Sequence, residues 1–318
     1  MKNQLVSIIT PCYNNSNVVS RYLDSVLNQT YKNIELIFIN DGSTDNTESI
    51  VLSYEKLFKE NEMKLIYIKQ ENKGLGGAIN TGLKYFSGDF LCWADADDFF
   101  QLESVEKRVE FLNKNPQYGC VTTNAYVYNE YDLQRPIYQI ADKFKYNEDE
   151  YQFEHHLKSE SIFCCGCHMI RREVFLDVNP EKCIFPARRG QNWQMLLPVY
   201  YKYKRGFLNE NLYNYIIYKS SMSTGDNCKE KKIQRCNEHL EIIKKTLEKM
   251  DMTNSDRKKY ERLVYKNYVT NLFDICIQYK DFNGGMKYYL KMIEYKALRK
   301  YDTKSLIKIA INNIIRVN

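Results

Sequence analysis

The sequence predicts an α/β protein in which a mostly parallel sheet is flanked by helices and followed by a helical appendage. Three observations support this fold class. Short runs rich in Ile, Val, Leu and Phe alternate with segments of helical periodicity through residues 1–115. A polar or glycine-rich segment follows each apolar run. Residues 226–318 are rich in Lys, Tyr and Ile and poor in glycine, as expected for surface helices.

The apolar runs of the front half predict four buried strands, at residues 5–10, 34–40, 64–69 and 89–94. Helical spacing predicts the connections, at residues 18–27, 45–58, 76–86 and 104–115. In the second of these helices, Asp45 and Glu48 are spaced like an N-cap residue and its N3 partner. Parallel strands carry their ligands at their carboxyl ends, so the segments that follow the strands should meet at one edge of the sheet.

The pattern is looser after residue 118. We expect a strand at residues 118–128, a mobile polar loop region at 129–160, a strand at 164–170 and a short helix from about Arg171. Residues 190–204 predict a helix that Pro198 kinks or breaks. The composition changes within "SSMSTGDN". We therefore predict one domain over residues 1–225, with halves 1–115 and 116–225, and a basic helical region over 226–318.

The net charge of +6 is unevenly distributed. Residues 229–318 contain 21 Lys and Arg against 11 Asp and Glu, whereas residues 1–228 contain 25 against 29. The segment 305–317 is amphipathic, and peripheral contact with an anionic membrane is one interpretation of it. A helical appendage with solvated charges is the alternative that we prefer. No nucleic-acid-binding motif accompanies the charge, so we expect no nucleic acid partner.

No apolar run approaches the roughly 20 residues that cross a bilayer, and the first residues do not resemble a signal peptide. The expected location is the cytoplasm, or the inner face of the membrane if the tail binds lipid. The ten cysteines are then expected to be free thiols. Cys164, Cys167 and His168 match the c-type haem pattern, but that chemistry belongs to exported proteins, and a zinc site would need further ligands.

The segment "LCWADADDFF" places three aspartates directly after a predicted strand. Alternation along a strand would direct Asp95 and Asp97 to one point and turn Asp98 away. Two adjacent carboxylates repel each other, and a hard cation such as Mg²⁺ or Mn²⁺ would relieve the repulsion and bind phosphate oxygens as well. A solvated acidic turn is the alternative, and a lone D-x-D pattern would not decide between the two.

The neighbouring loops favour a nucleotide site. Asp41 follows the second strand, and a carboxylate beside the Tyr13 ring could accept an N–H from a base that stacks on that ring. The alternative for Asp41 is a turn-forming residue before the next helix. Gly74, Gly76 and Gly77 open a helix whose N-terminus favours phosphate, although the motif is neither a dinucleotide fingerprint nor a P-loop.

Taken together, "VSIITPCYN", "INDGSTDNT", "NKGLGGAINTGL" and "ADADD" resemble the front half of family 2 glycosyltransferases, which have the GT-A fold. The resemblance is continuous over about residues 5–115 and extends more weakly to about residue 225. It implies a nucleotide-binding half and an acceptor half, a nucleotide-diphosphate sugar donor that is most often a UDP-sugar, a divalent metal and inversion at the anomeric carbon. The residues it implies are Thr10, Pro11, Tyr13 and Asp41 for the nucleoside, Lys73 near the base or phosphates, Asp95 and Ala96 on the donor with Asp95 nearer the ribose, and Asp97 with Asp95 on the metal.

Two departures from the family pattern bear on catalysis. The family usually has Glu-Asp before a tryptophan, with the Asp as general base, whereas this chain has Gln191 and Asn192 before Trp193. An amide is not a useful base near neutral pH, so Asn192 and Trp193 are expected to bind acceptor or donor sugar. The candidate replacement bases are Glu154, His155, His156, Glu160 and His168, although His168 fits a packed residue better. The family often has a histidine near "YKSSMS", where Tyr218 and Lys219 stand; Lys219 is either a diphosphate ligand or a solvent-facing lysine.

We therefore predict a metal-dependent glycosyltransferase that moves a sugar from a UDP-hexose or UDP-N-acetylhexosamine to a hydroxyl of a glycan or lipid-linked acceptor. Asp97, Asn192 and Trp193 are its expected catalytic residues. A non-catalytic nucleotide-sugar-binding scaffold is the alternative that the "QN" pair supports. A sugar-phosphate nucleotidyltransferase is less favoured, because it would need a glycine-rich loop where "TPCYNN" stands.

Overall fold

The computed structural model describes residues 4–219 and 225–315, the last four of these in backbone only. The chain divides into two compact units, Met1–Tyr218 and Lys219–Asn318. The division falls a few residues before the boundary expected near residue 225, and residues 220–224 of that segment lie outside the described residues.

The first unit is built on one mixed sheet, and the nine strands of the described residues lie in the order β3-β2-β1-β4-β8-β6-β9-β5, with β7 on β6. Strands β1, β2, β3 and β4 run parallel, as do β6 and β9, whereas β8, β5 and β7 pair antiparallel with their neighbours. The strands are β1 (Val6–Cys12), β2 (Ile34–Asp41), β3 (Lys64–Gln70), β4 (Phe90–Trp93), β5 (Phe99–Phe100), β6 (Tyr118–Asn129), β7 (Tyr138–Gln139), β8 (His168–Arg171) and β9 (Lys204–Ile217).

Helices connect these strands. They are α1 (Val19–Leu27), α2 (Thr47–Ser53), α3 (Glu55–Glu60), α4 (Gly74–Tyr85), α5 (Ser104–Lys114), α6 (Phe153–Leu157), α7 (Arg172–Val178) and α8 (Gln191–Lys202). Strands β2 and β4 are buried along their whole length, because helices cover both faces of the central sheet. Helix α4 lies so close to the sheet that a Cβ at Gly82 would be 2.4 Å from the Cγ2 of Ile9.

The mixed α/β class and the alternation of the front half are confirmed, with local differences. The helix expected over 45–58 is two helices, α2 and α3, which meet at Tyr54. Asp45 lies one residue before the N-cap position, but its carboxylate still accepts from the backbone N–H of Thr47 at 3.0 Å. Helix α8 continues through Pro198 without a break, at the expense of the backbone hydrogen bond that proline cannot donate.

The region expected to be a loop, residues 129–160, contains β7, a 3-10 turn at Ile140–Lys143 and helix α6. The polar composition of this region did not predict these elements, because side-chain hydrogen bonds rather than apolar packing hold them in place. Asn124 Nδ2 donates to Gln139 Oε1 at 3.1 Å, and Gln152 Nε2 donates to the carbonyl of Tyr146 at 2.7 Å. The strand expected over 164–170 is shorter. Residues Cys165–Cys167 form a 3-10 turn, and β8 begins at His168.

The second unit is helical, as expected, with α9 (Lys229–Lys249), α10 (Asn254–Gln278), α11 (Phe282–Glu294) and α12 (Asp302–Ile315). Thr253 and Asp281 cap α10 and α11 by accepting from the backbone N–H groups of Asp256 and Gly284. A small core is formed by Val269, Phe273, Met292 and Leu306.

The amphipathic segment predicted over 305–317 falls largely within α12. Leu306 and Ile309 are buried, whereas Ile307 is exposed. Ile314 and Val317, which belong to the same segment, lie outside the residues whose side chains are described. Among the described helices, none is both long enough and apolar enough to cross a lipid bilayer.

Candidate functional site

The carboxyl ends of the parallel strands form the edge at which the sequence places its polar segments. Asp41 is the last residue of β2 and is 4% exposed. Its Oδ1 accepts hydrogen bonds from Gln70 Nε2 at 2.6 Å and from the backbone N–H of Lys73 at 2.9 Å. Asp41 therefore connects the end of β3 and the start of α4 to β2. Its role is not limited to forming a turn before the next helix.

An open groove lies beside Asp41. It is lined by Gly42, Ser43, Lys69, Gln70, Glu71 and Asn72, from the segments that follow β2 and β3. Gly42 has a φ of +80°, and a Cβ there would be 2.9 Å from the backbone nitrogen of Asn72. Only glycine therefore lets the two segments approach each other in this way.

The end of β1 and the residue after it contain three residues that the resemblance assigns to the nucleoside, Thr10, Pro11 and Tyr13, and they differ in exposure. The Tyr13 ring is 51% exposed and open to stacking, and Pro11 is half-buried. Thr10 is fully buried, and its hydroxyl bonds with that of Tyr22 on α1. The Thr10 hydroxyl is therefore already used inside the protein and does not face a ligand in this arrangement.

The aspartate cluster, Asp95, Asp97 and Asp98, lies in the turn that follows β4, which ends at Trp93. The alternation expected for a strand therefore does not hold, and Asp98 does not point away from Asp95. Ligand atoms of Asp95, Asp98 and Cys165 all lie within 4.8 Å of one another, and the Cys165 thiol donates to Asp95 Oδ2 at 3.2 Å. Asp98 is buried and accepts from the backbone N–H of Ile216 at 2.8 Å. Ala96, between the aspartates, is also buried.

Burial and mutual repulsion make these carboxylates unusually easy to protonate. Burial, with the charge of Asp95 adding to it, raises the pKa of Asp97 to about 7. Burial also raises the pKa of Asp95 and raises that of Asp98 well above the usual range of a carboxylic acid. Concentrated negative charge of this kind is relieved by a cation.

The set fits a hard divalent metal ion. Carboxylate oxygens of Asp95 and Asp98 lie together, and such oxygens are the ligands that Mg²⁺ and Mn²⁺ prefer. Asp97 does not belong to the group of ligand atoms that lie within 4.8 Å of one another, so its place on the metal stays a prediction. Asp98 Oδ2 is buried and has no hydrogen-bond partner among the described residues, and a cation bound beside it would favour the ionised form that burial disfavours. The Cys165 thiol lies next to Asp95, and burial followed by the charge of Asp95 raises the pKa of that thiol well above normal, so it stays protonated.

Two residues hold the backbone of Asp97 in place. Arg21 Nη2 on α1 donates to the carbonyl of Asp97 at 2.6 Å, and the Tyr218 hydroxyl donates to the same carbonyl at 2.9 Å. Arg21 Nη2 and the Tyr218 oxygen are 2.7 Å apart, and the guanidinium lies over the Phe99 ring at 5.4 Å. Tyr218 thus stands where the family often has a histidine, and it supports the aspartate turn.

The tryptophan segment of the acceptor half forms the start of α8. Asn192 is 9% exposed: its Oδ1 accepts from the indole N–H of Trp93 at 2.8 Å, and its Nδ2 donates to the carbonyl of Phe163 at 2.5 Å. Trp193 is buried, donates its indole N–H to the carbonyl of His156 at 3.3 Å and packs edge-on against Phe163. Asn192 therefore lies against the end of β4, just before the aspartate turn.

The candidate general bases His156, His168 and Glu154 are each buried or paired with another side chain. His156 is fully buried between Phe163 and Tyr200, and burial lowers its pKa to about 3. His168 is fully buried and stacked on Trp93, and burial holds its pKa well below the usual range. Glu154 faces Lys158 at 3.8 Å.

The remaining candidate bases, His155 and Glu160, lie next to each other, and His155 also contacts the carboxylate of Asp149. The two ring nitrogens of His155 face Asp149 Oδ2 at 3.0 Å and Glu160 Oε2 at 3.5 Å. Both nitrogens are therefore already engaged. His155 also stacks on Tyr146, with ring centroids 4.1 Å apart.

The remaining predicted residues lie at the edges of these segments. Lys73 is exposed at the N-cap of α4, next to Asp41. Lys219 is exposed and is the first residue of the second unit. All ten cysteines are free, and Cys164, Cys165 and Cys167 are buried, in agreement with the expectation of structural thiols.

Sequence reasoning missed Arg21, Gln70 and Cys165. Gln70 ends β3 at the same edge as Asp41, so its position alone could have indicated it. Arg21 interrupts an apolar helix pattern, which gives only a weak signal. Nothing in the sequence relates Cys165 to Asp95, because the contact spans 70 residues.

Comparison with known proteins identifies a family of glycosyltransferases, in agreement with the resemblance found in the sequence. The sequence model described as Glycosyl transferase family 2 matches residues 7–178. An uncharacterized glycosyltransferase of Rickettsia typhi is 44% identical over 110 residues, which is 35% of this chain and 32% of that protein. Glycosyltransferase GlyA of Streptococcus pneumoniae is 32% identical over 69% of this chain and 31% of its own length. The chain thus spans about a third of the length of these relatives.

A third relative has a more detailed name. The UDP-Glc:alpha-D-GlcNAc-diphosphoundecaprenol beta-1,3-glucosyltransferase WfgD of Escherichia coli is 41% identical over 36% of this chain and 44% of its own length. Among solved structures, S. aureus TarS matches with a TM-score of 0.63 at 16% identity, covering 96% of this chain and 88% of that one. TarS has also been solved in complex with UDP-GlcNAc. The TarS match supports a common fold, and the GT-A architecture expected from the sequence is confirmed.

Proposed function

Because the chain belongs to glycosyl transferase family 2, we propose that it transfers a sugar from a UDP-sugar to a glycan or lipid-linked acceptor, with a divalent metal and with inversion at the anomeric carbon. The donor is a UDP-hexose or UDP-N-acetylhexosamine, in line with the names of WfgD and of the TarS complex. Mn²⁺ or Mg²⁺ serves as the metal.

The observation that carries this proposal is the arrangement of Asp41, Asp95 and Asp97 at one edge of the parallel sheet. Asp41 Oδ1 is fixed by Gln70 and Lys73, which orients the carboxylate to accept an N–H from a base in the groove next to it. The exposed ring of Tyr13 offers a stacking surface, and Lys73 offers a positive charge at the start of α4.

Asp97 and Asp95 would hold the metal. A bound metal neutralises the diphosphate as it leaves, and this is the chemistry it would supply here. The protein's own part is to fix the ligands: Arg21 and Tyr218 hold the carbonyl of Asp97, and Asp98 is anchored to β9 through the N–H of Ile216. Ala96 keeps the turn compact, because its side chain is buried.

The acceptor half positions the acceptor next to this turn. Asn192 bonds to Trp93, the residue two positions before Asp95, so the start of α8 is tied to the donor site. Asn192 and Trp193 then serve to fix the start of α8, beside which the acceptor would bind. We propose that the protein acts in the cytoplasm, where UDP-sugars are made, and that its basic second unit contacts the inner face of the membrane.

A scaffold without catalytic activity is the second candidate, and the amides at 191 and 192 favour it. The two functions differ in one measurable product, since a scaffold binds UDP-sugar but releases no UDP. Thermal unfolding with UDP, GDP, CDP and dTDP, each with and without Mn²⁺, tests the donor proposal. A ligand at about 100 times its Kd adds about 2.7 kcal/mol of stability. A flat response to every nucleotide contradicts the proposal.

A further inference from the structure

Helices α11 and α12 each carry a line of apolar side chains that the core of the second unit does not use. That core takes Met292 from α11 and Leu306 from α12, and both are buried. A helix on the surface of a protein needs one apolar face for its core, and on these two helices that face is already filled. Five further large apolar side chains are exposed: Met286, Leu290 and Ile293 on α11, and Ile307 and Ile311 on α12.

The spacing of these five side chains places each set on one side of its helix. Met286, Leu290 and Ile293 are separated by four and three residues, and the two isoleucines of α12 by four, which are the intervals between neighbours on a helix surface. Their exposed fractions run from 37% for Met286 to 58% for Leu290. Single exposed apolar residues are common, whereas a continuous set of them marks an interaction surface.

The two sets form one surface, because the helices are joined on the side that carries them. The hydroxyls of Tyr289 on α11 and Thr303 on α12 are 2.6 Å apart. Tyr289 lies three residues after Met286, and Thr303 lies four residues before Ile307, so each is a neighbour of the apolar set of its own helix. The five exposed apolar residues are called the outer face of α11 and α12 below.

Exposed lysines accompany the outer face. They are Lys287, Lys296, Lys300, Lys304 and Lys308. None of them forms a salt bridge with a described residue, whereas Arg299 in the same segment is held by Asp274 and Asp302. Glu294 is the one exposed carboxylate of residues 286–311, all of which the structure describes. The segment therefore presents a net positive charge to solvent.

The lysines border the apolar side chains. On α12, Lys304 and Lys308 each lie three residues before an isoleucine of the outer face, and on α11 Lys287 lies three residues before Leu290, so the side chains are neighbours. Lysine is depleted in protein–protein interfaces. At a membrane, a lysine can extend its amine to the headgroups while its stem stays against apolar surface. The pattern therefore favours an anionic lipid surface over a protein partner.

We propose that the outer face of α11 and α12 docks on an anionic phospholipid surface, with its apolar side chains among the headgroups and its lysines on the lipid phosphates. This inference rests on the membrane contact of the proposed function and names the surface that makes it. Among the described helices none could cross a bilayer, so the two helices lie on the membrane. Donor binding does not require the contact, because Asp41 and Asp95 belong to the first unit.

Flotation of the full chain with lipid vesicles tests the choice of lipid. One set of vesicles contains equal parts of phosphatidylglycerol and phosphatidylcholine, and the other contains phosphatidylcholine alone. We expect binding to the anionic vesicles to be at least about tenfold tighter, because several lysines contribute to it. The binding should weaken as salt is raised, since salt screens exposed charges.

Substitutions on the outer face test which surface binds. Leu290→Ser and Ile307→Ser should each weaken vesicle binding by about tenfold, because each removes an apolar side chain that the membrane covers. Lys304→Gln should weaken it by about fivefold. Leu57→Ser and Lys59→Gln, at exposed positions of α3 in the first unit, are the matched controls and should bind like the parent. Thermal unfolding without lipid checks that every variant is folded.

A tryptophan probe reports the insertion directly. In Leu290→Trp, the emission of the new indole should shift to shorter wavelength on anionic vesicles and should be quenched by lipids that carry bromine on their acyl chains. Leu57→Trp, the same change at an exposed leucine of α3, should show neither effect. The native Trp93 and Trp193 are buried and give a background common to both variants.

Three results would overturn the docking surface: no binding to anionic vesicles, equal binding to phosphatidylcholine alone, or unchanged binding in both serine variants. A dimer that forms with rising concentration and that the serine variants dissociate would assign the outer face to a second copy of the chain and would also overturn it. Stabilisation by UDP and Mn²⁺ without vesicles tests the donor proposal separately. Its absence defeats that proposal and leaves a positive vesicle result standing, whereas UDP binding without vesicle binding overturns the docking surface alone.

Discussion

Asn192 joins the indole N–H of Trp93 to the backbone carbonyl of Phe163, with its amide oxygen on the first and its amide nitrogen on the second. The two bonds fix the start of α8 against β4, directly before the aspartate turn. They also explain why an amide occupies this position, since no other side chain of this size both accepts and donates here.

Substitution of Asn192 by Asp should therefore destabilise the protein and should not restore a general base. The carboxylate keeps the bond from Trp93 but faces the Phe163 carbonyl without a donor, which costs roughly 1–3 kcal/mol. Urea unfolding measures this loss. Gln117→Glu, the same change at an exposed amide, should stay within about 0.5 kcal/mol of the parent. An N192D protein as stable as the parent would show that the Phe163 bond does not matter.

Asp97→Ala should remove the part of the stabilisation by UDP that depends on Mn²⁺. The variant loses a metal ligand but keeps Asp41 and the groove, so UDP alone should bind as before. Thermal unfolding with UDP, with and without Mn²⁺, tests this. Asp142→Ala, at an exposed carboxylate, serves as the control. An undiminished Mn²⁺ effect in D97A would exclude Asp97 as the metal ligand.

Tyr218→Phe should weaken metal binding without unfolding the protein. The change removes the hydroxyl that bonds to the Asp97 carbonyl and contacts Arg21, a loss of about 0.5–1.5 kcal/mol or roughly 2–10-fold in affinity. Electron paramagnetic resonance of Mn²⁺ in the presence of UDP gives the affinity directly. Tyr85→Phe, at an exposed tyrosine ending α4, is the matched control. Equal Mn²⁺ affinity in Y218F and Y85F would mean that Tyr218 does not position Asp97.

Gln70→Leu should lower UDP affinity by about 5–10-fold while leaving Mn²⁺ binding intact. Gln70 orients Asp41 through a 2.6 Å hydrogen bond, and the Gln70 amide oxygen accepts in turn from Thr81. Without it Asp41 Oδ1 loses one of its hydrogen bonds and keeps the one from the backbone N–H of Lys73, so the carboxylate is held less firmly. Calorimetric titration with UDP measures the effect, and Gln117→Leu, the same change at an exposed amide outside the groove, should bind UDP nearly normally. Unaltered affinity in Q70L would place base recognition elsewhere.

Acidification should destabilise the first unit through its buried histidines. Burial lowers the pKa of His156 to about 3 in the folded protein, so between its ordinary pKa near 6.5 and 3 only the unfolded chain binds the proton. The free energy of unfolding therefore falls as pH falls through this window, by about 2 kcal/mol at pH 5 for this one histidine.

The variant His156→Phe isolates this contribution. It cannot be protonated, so its unfolding free energy should fall less steeply between about pH 7 and pH 5 than that of the parent. The comparison uses the slopes and not the absolute stabilities, because loss of the Ser161 bond shifts the whole curve. Parallel slopes would show that His156 is not buried in its neutral form.

Much of the fold could be predicted because it depends on local periodicity. The runs that became β1, β2 and β4 are rich in apolar residues and are almost entirely buried, as a strand between two helical layers requires. The run that became β3 is also rich in apolar residues, although it is only partly buried. The helices between them repeat apolar residues at helical spacing. In residues 129–160, side-chain hydrogen bonds replace apolar packing, so the apolar residues show no helical or strand spacing. The sequence therefore did not predict β7 and α6.

The sequence by itself determined that Asp41, Asp95 and Asp97 lie at the carboxyl edge of a parallel sheet, because strand order along the chain and the position after each strand suffice for that. Only the tertiary structure decided which groups these residues meet. Cys165 and Asp98 approach Asp95, Arg21 and Tyr218 hold Asp97, and Trp93 meets Asn192 across 99 residues of chain. Such contacts depend on how helices and strands pack, and no local pattern records them.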